Sequence, residues 1–193
     1  MTKIGYLGPS GSLSESICFE LYANSTPAKF EYHLFEHLSH LLEALCQKKI
    51  DLAVMPVWNS KLGYLRNHFT QEVFWDKIQA TSHLKVLQEK TVMMPFLLLG
   101  LPKATLDEIA HIHLNEYSHK LCQTFLDAHA HWKIHTHASS SKAAQTIQKL
   151  NDSQHAAIAT LDAARQYGLT AFKTPLFEAG DEPLMRFIAI SSV

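Results

Sequence analysis

Ile50 to Val57 is a nearly continuous apolar run, interrupted only by Asp51. A strand with one wet face alternates apolar and polar residues, so an unbroken run implies a parallel strand covered by helices on both faces. The segments before it supply such helices. Lys3 to Leu7 alternates as a short strand, Gly8-Pro9-Ser10-Gly11-Ser12 is a turn, and a helical period runs from Leu13 to about Tyr22, with a break at Asn24 to Pro27. Phe30 to Leu34 reads as a second strand. Glu36 to Lys48 then reads as a helix whose Leu38, Leu41, Leu42 and Leu45 share one face with Phe35. Strand, helix, strand, helix, strand defines an α/β lobe with a parallel sheet, and its ligand site lies beyond the carboxyl ends of the strands. The Gly8–Ser14 turn and the Asn59–Gly63 loop both fall at those ends.

Beyond that lobe the pattern changes and then resumes. Tyr64 to Trp75 reads as a helix, and Ile78 to Gln88 and Thr91 to Leu101 as two extended segments flanking a turn at Glu89-Lys90. A second βαβ series follows, with strands near Ile109–Leu114, Trp132–His137 and Ala156–Ala159, and helices over Glu116–Ala128, Ser139–Leu150 and Leu161–Tyr167. Gly168 sits where a helix C-cap glycine belongs, and Leu169 to Leu176 reads as a further strand. The apolar tail from Leu184 to Ile190 is strand-like and is expected beside the first lobe. The fold class is therefore α/β, with residues 1–80 plus 178–193 as the first lobe, 81–177 as the second, and a ligand cleft between them.

Composition excludes several kinds of function. A net charge of −1 without a Lys/Arg cluster gives no footprint for nucleic acid or an anionic membrane, and no apolar run approaches the length of a membrane span. The N-terminus lacks the basic-then-apolar pattern of a signal peptide, so a cytoplasmic location is expected. Cys18, Cys46 and Cys122 are widely spaced in apolar helical contexts, which suits reduced thiols better than disulfides or a metal site. A small-molecule partner is expected.

Several motifs resemble those of the prephenate dehydratases. Gly8-Pro9-Ser10-Gly11-Ser12-Leu13-Ser14-Glu15 resembles that family's Gly-Pro-x-Gly-Thr-Phe-Ser opening, and Asp51 to Gly63 resembles its Asp-x-x-x-x-Pro-x-Glu-Asn-Ser-x-x-Gly segment. Ala156 to Ala159, Ala163-Ala164 and Tyr167-Gly168-Leu169 resemble its late helix, and Arg186-Phe187 the end of its Thr-Arg-Phe motif. The matches fall in family order along almost the whole chain. The resemblance implies two lobes like those of type 2 periplasmic binding proteins, a cleft for prephenate and a homodimer. The regulatory ACT domain that the family usually adds is not expected in this chain.

The departures bear on chemistry. The family's reaction expels the ring hydroxyl as water together with carbon dioxide, and the resemblance assigns protonation of that hydroxyl to the Thr of Thr-Arg-Phe. The matching residue here is Met185, a thioether with no proton to give. Trp58 stands where the family has Glu, and Leu114 to Ser118 replaces its Ser-His-Pro-Gln-Ala region. The binding chemistry is retained. Arg186, Asn59 and Ser60 are the candidate catalytic residues, and Ser10, Ser12, Ser14, Ser139, Ser140 and Phe187 the candidate substrate contacts. The turn and the helix start can offer N–H groups and hydroxyls to carboxylates, and Arg186 can fork onto one bidentately. The plainer alternatives are a Ser12 helix cap closed by Glu15, and an Arg186 ion pair with Asp181 or Glu182.

Thirteen histidines are the other feature. His111 and His113 alternate on a strand, as do His135 and His137, with His129 and His131 nearby, and same-face pairs can bind zinc. No carboxylate or Cys completes a set, so neither a metal nor another cofactor is expected. Met93-Met94 and Trp132 read as core. The resulting expectation is a prephenate lyase similar to the prephenate decarboxylases, with a catalytically inactive binder of phenylalanine or prephenate as the alternative. A solute-transport binder is disfavoured.

Overall fold

The computed structural model describes residues 1–22, 30–67, 69–94 and 96–193. They divide into two compact units: unit 1 comprises Met1–Pro9, Leu13–Met93 and Pro183–Val193, and unit 2 comprises Ser10–Ser12 and Met94–Glu182. The break expected at Asn24 to Pro27 lies outside the described residues.

Unit 1 is built on β1 (Thr2–Leu7), α1 (Leu13–Tyr22), β2 (Phe30–Phe35), α2 (Leu38–Cys46), β3 (Leu52–Asn59), β4 (Gly63–Tyr64), α3 (Phe74–Ala80), β5 (Leu84–Met93) and, from far along the chain, β11 (Leu184–Ser192). Its sheet runs β2-β1-β3-β11-β5, with β4 paired to β3. The β2, β1 and β3 strands are parallel, whereas β11 is antiparallel to both β3 and β5. The apolar run that opened the sequence reading is the covered strand β3, with Ala53, Val54, Met55 and Val57 fully buried. On one face, Leu41, Leu42 and Leu45 of α2 and Phe74 and Ile78 of α3 pack against β3 and β11.

Three expectations are corrected in and around this sheet. Tyr64 to Trp75 is not a helix: Tyr64 ends β4, Arg66 bridges to Val73, and α3 begins at Phe74. Asn67 Oδ1 accepts the N–H groups of Phe69 and Thr70, a local bond that competes with helix. Glu89-Lys90 is not a turn but part of β5, where charged residues suit an edge strand exposed along one side. The extended run from Leu169 shrinks to Thr170–Ala171, and Pro175 lacks the N–H a longer ladder needs.

Unit 2 contains β6 (Phe96–Gly100), β7 (His111–Asn115), α4 (Glu116–Leu121), α5 (Gln123–Asp127), β8 (Lys133–His137), α6 (Ser140–Leu150), β9 (His155–Thr160), α7 (Leu161–Tyr167) and β10 (Thr170–Ala171). The sheet order is β10-β6-β9-β7-β8, with β9, β7 and β8 mutually parallel and β6 antiparallel to β9. The expected Glu116–Ala128 helix divides at Cys122, whose ψ of 19° departs from helical geometry. Leaving α7, Gly168 adopts a φ of 64° as the C-cap. Ala143, Ala144 and Ile147 of α6 pack on Ala157 and Ala159 of β9, small residues that let helix and sheet approach closely.

Gly5 shows how tightly unit 1 is packed. A Cβ there would lie 2.5 Å from Ile50 Cδ1, 2.6 Å from Leu41 Cδ1 and 2.9 Å from Phe35 Cε2. Gly5→Ala is therefore expected to destabilise the protein by about 1–3 kcal/mol, measured as a lower urea midpoint at unchanged slope.

Candidate functional site

In unit 1 the end of β3 is fastened to β11. Asn59 is fully buried, and its Oδ1 accepts the backbone N–H groups of Lys61 and Leu62 at 2.9 and 3.2 Å, shaping the turn into Gly63, whose φ is 77°. Ser60 makes a two-way link: its N–H donates to the Leu184 carbonyl at 2.9 Å and its Oγ accepts the Leu184 N–H at 2.9 Å. Asn59 and Ser60 thus hold the loop to the first residue of β11.

The β11 register then sorts the neighbouring side chains. Met185 pairs with Asn59 and Arg186 with Trp58. Paired residues in a ladder share a face and successive residues alternate, so Met185 and Asn59 lie on one face and Arg186 and Trp58 on the other. The structure does not bring Arg186 together with Asn59. Its guanidinium instead lies 5.2 Å from the Trp58 ring centre, 5.7 Å from Tyr64 and 6.0 Å from Trp75. Cation–π attraction at such distances is worth about 0.5–2 kcal/mol per pair. The carboxylate beside Arg186 is Glu89, at 3.8 Å, rather than the Asp181 or Glu182 of the plainer alternative. Phe187, expected to contact substrate, is buried at 2% exposure, and Met185 is buried at 4%. The aromatic box around Arg186 was missed because Tyr64 and Trp75 were assigned to one helix.

In unit 2 the Ser10-Gly11-Ser12 segment meets the start of α6 and the end of α7. Ser141 Oγ donates to the Gly11 carbonyl at 3.1 Å, and the Tyr167 hydroxyl donates to the Ser10 carbonyl at 3.4 Å. Gly11 has a φ of 77°, the left-handed conformation that favours glycine, and a Cβ there would press on Gln166 Cβ at 3.1 Å. Ser139 caps α6, its Oγ accepting the Lys142 N–H at 3.1 Å, and Ser140 opens the helix. Ser10, Ser12, Ser139 and Ser140 therefore belong to one unit. Ser14 lies in α1 of unit 1, buried.

Burial pushes the Cys18 and Cys122 thiols up to about 12, so neither is a ready nucleophile. Among the described residues, no group of three or more His, Cys, Asp or Glu is disposed to hold a metal ion. A hollow of about 800 Å³ in unit 2 is edged by Glu178, Asp181 and Glu182, the wrong charge for a carboxylate ligand.

Four of the flagged histidines do gather, joined by His155, which the sequence reading passed over. His111 faces His135 at 3.0 Å, and His113 faces His137 and His155, each at 2.8 Å. His129 lies apart, stacked on Trp132 and bonded to the Phe125 carbonyl. Desolvation first, then the neighbouring imidazoles, lowers His113 to about 3 and also lowers His135, His137 and His155. An unfolded histidine binds its proton below about 6.5 while these resist it in the fold. Their stabilisation is complete above that value and is lost as pH falls from about 6.5 toward 3, by at most about 1.4 kcal/mol per pH unit per imidazole, less for the half-exposed rings. The melting temperature should therefore drop as pH falls from about 6.5 toward 3, and His113→Leu should flatten that slope.

Comparison with known proteins gives a consistent relationship. The family model for prephenate dehydratase matches residues 4–193. The bifunctional chorismate mutase/prephenate dehydratase of Escherichia coli K12 is 26% identical over 174 residues, covering 86% of this chain but 41% of the relative. The chain thus spans less than half the length of that relative. Among solved structures, the prephenate dehydratase of Arthrobacter aurescens in complex with L-Phe superposes with a TM-score of 0.75 at 24% identity, covering the whole of this chain and 61% of that one. A periplasmic substrate-binding protein of an ABC transporter from Coxiella burnetii aligns at 0.55 with 12% identity, covering the whole of this chain and 84% of that one. The chain thus shares the two-unit α/β fold of these structures, the periplasmic binding protein included. Within it, the chain belongs to the prephenate dehydratase family.

Proposed function

We propose that this chain is a prephenate lyase that decarboxylates its substrate and leaves the ring hydroxyl in place. The observation that carries this reading is Met185, buried on β11 opposite Asn59. By the motif match it stands where the family resemblance puts the proton-donating Thr, and a thioether cannot protonate a departing hydroxide. Loss of carbon dioxide needs no such donor. The bond from the ring to its carboxylate breaks, the electron pair enters the ring π system, and one proton is added to a ring carbon.

In this reading Ser10, Ser12, Ser139 and Ser140 of unit 2 recognise a carboxylate, while within unit 1 Asn59 and Ser60 shape the loop at the end of β3. The capped start of α6 supports this, since unpaired N–H groups and the helix dipole favour an anion there. Arg186 acts in this reading by holding the Trp58 and Tyr64 corner of the sheet. A second reading, a binder of phenylalanine or prephenate without turnover, is favoured by the L-Phe held by the Arthrobacter aurescens relative. The protein works in the cytoplasm, consistent with its free cysteines, and as a homodimer to be checked by light scattering.

Purified protein mixed with prephenate should release carbon dioxide without phenylpyruvate. Phenylpyruvate from the unaltered chain would overturn the argument from Met185. Absence of turnover, with phenylalanine or prephenate still raising the melting temperature, would establish the binder instead. Met185→Thr should bring phenylpyruvate formation up by about 10²-fold or more, the usual worth of a general acid.

A further inference from the structure

Unit 2 carries a row of imidazoles to which the proposed site residues give no task. His137 Nε2 lies 2.8 Å from His113 Nδ1, His113 Nε2 lies 2.8 Å from His155 Nδ1, and His155 Nε2 faces Asp152 Oδ2 at 4.0 Å. The ring centres of both histidine pairs are 5.0 Å apart. That exceeds the N···N distance by 2.2 Å, which is about twice the distance from an imidazole centre to its nitrogen, so each contact points straight from ring to ring. Two imidazoles sharing a metal would aim their lone pairs at a point off that line, whereas a hydrogen bond lies along it. The geometry selects proton sharing over metal binding.

The rest of the cluster insulates this row. His111 stacks on His155 at 4.4 Å and 10°, and His135 stacks on His113 at 4.7 Å and 14°. His113 is 4% exposed, so its two ring nitrogens meet histidines rather than solvent. The charged groups acting on the row are Lys133, through His135, Lys142 beside His137, and Asp152 beside His155. Burial and neighbouring rings keep the imidazoles neutral, and a neutral imidazole has one N–H to give and one lone pair to receive.

We propose that His155, His113 and His137 form a proton relay across the sheet of unit 2, from exposed Asp152 to the carboxyl end of β8, supplying the proton that decarboxylation consumes. It rests on the lyase reading above. His137 closes β8, and Ser139, which caps α6, follows two residues later. A proton enters at His155 Nε2 while the proton on His155 Nδ1 passes to His113 Nε2. The proton on His113 Nδ1 passes to His137 Nε2, and that on His137 Nδ1 leaves for the ring carbon that receives the electron pair. One proton enters and one leaves, nothing is oxidised, and the three rings end as Nε2–H tautomers, which return to the starting set between turnovers when a solvent proton enters at His137 Nδ1 and one leaves from His155 Nε2.

The test has two arms on the full chain. In ¹⁵N-histidine NMR without ligand, couplings across the two N–H···N bonds should join His113 to His137 and to His155. Absence of those couplings overturns the relay whatever the activity. In the prephenate assay, His113→Leu, and His155→Gln as a milder change at a half-buried ring, should each lower carbon dioxide release at least tenfold. Prephenate should still raise the melting temperature of both, and imidazole buffer should restore part of the rate. Unchanged turnover, or a loss that imidazole does not rescue, overturns the role in proton supply. If the unaltered chain releases no carbon dioxide, the lyase reading and the supply role fall together, and the couplings alone decide whether the relay exists.

Discussion

The pairing of β11 between β3 and β5 is the constraint on which the rest of unit 1 depends. It is antiparallel to both neighbours, while β2, β1 and β3 are parallel. Because side chains alternate along a strand, that register decides which residues share a face, and a one-residue slip would exchange them. It sets Met185 beside Asn59 and Arg186 beside Trp58. The same register explains why Arg186 is bound up with Trp58, Tyr64 and Trp75 instead of joining the Asn59 loop.

Much of the fold was legible because the strongest signals are local. The apolar β3, the Leu face of α2, the start of α6 at Ser139-Ser140 and the Gly168 C-cap each follow from a few residues and were recovered nearly in place. The failures have two causes. The Glu89-Lys90 position and the reach of the strand after Gly168 are decided by distant partners, β11 beside β5 and Gly100 beside β10, which a window of sequence does not contain. The segment after Gly63 is decided locally, by the hairpin with Trp58 and the Asn67 side chain, where the helical period misled.

The candidate site was legible in part for the same reason. Motif order gathered the serines, and the structure joins the Ser10–Ser12 segment to the start of α6 through Ser141 and Gly11. The functional reading of Arg186 came from a motif alone, with no view of the face it occupies. The histidine row was half visible, since alternation revealed pairs on β7 and β8, but His155 enters only through the pairing of β7 with β9.

The position of β11 also carries a consequence in time. Its partners β3 and β5 are complete by Met93, whereas β11 begins at Leu184. At a synthesis rate of about 5–20 residues per second, β5 waits for about 5–20 s without its ladder partner β11. Through that interval β3 and β5 each present a strand edge able to recruit a foreign strand. Lys85, Glu89 and Lys90 put charge along the β5 edge, where they would discourage such recruitment on the ribosome.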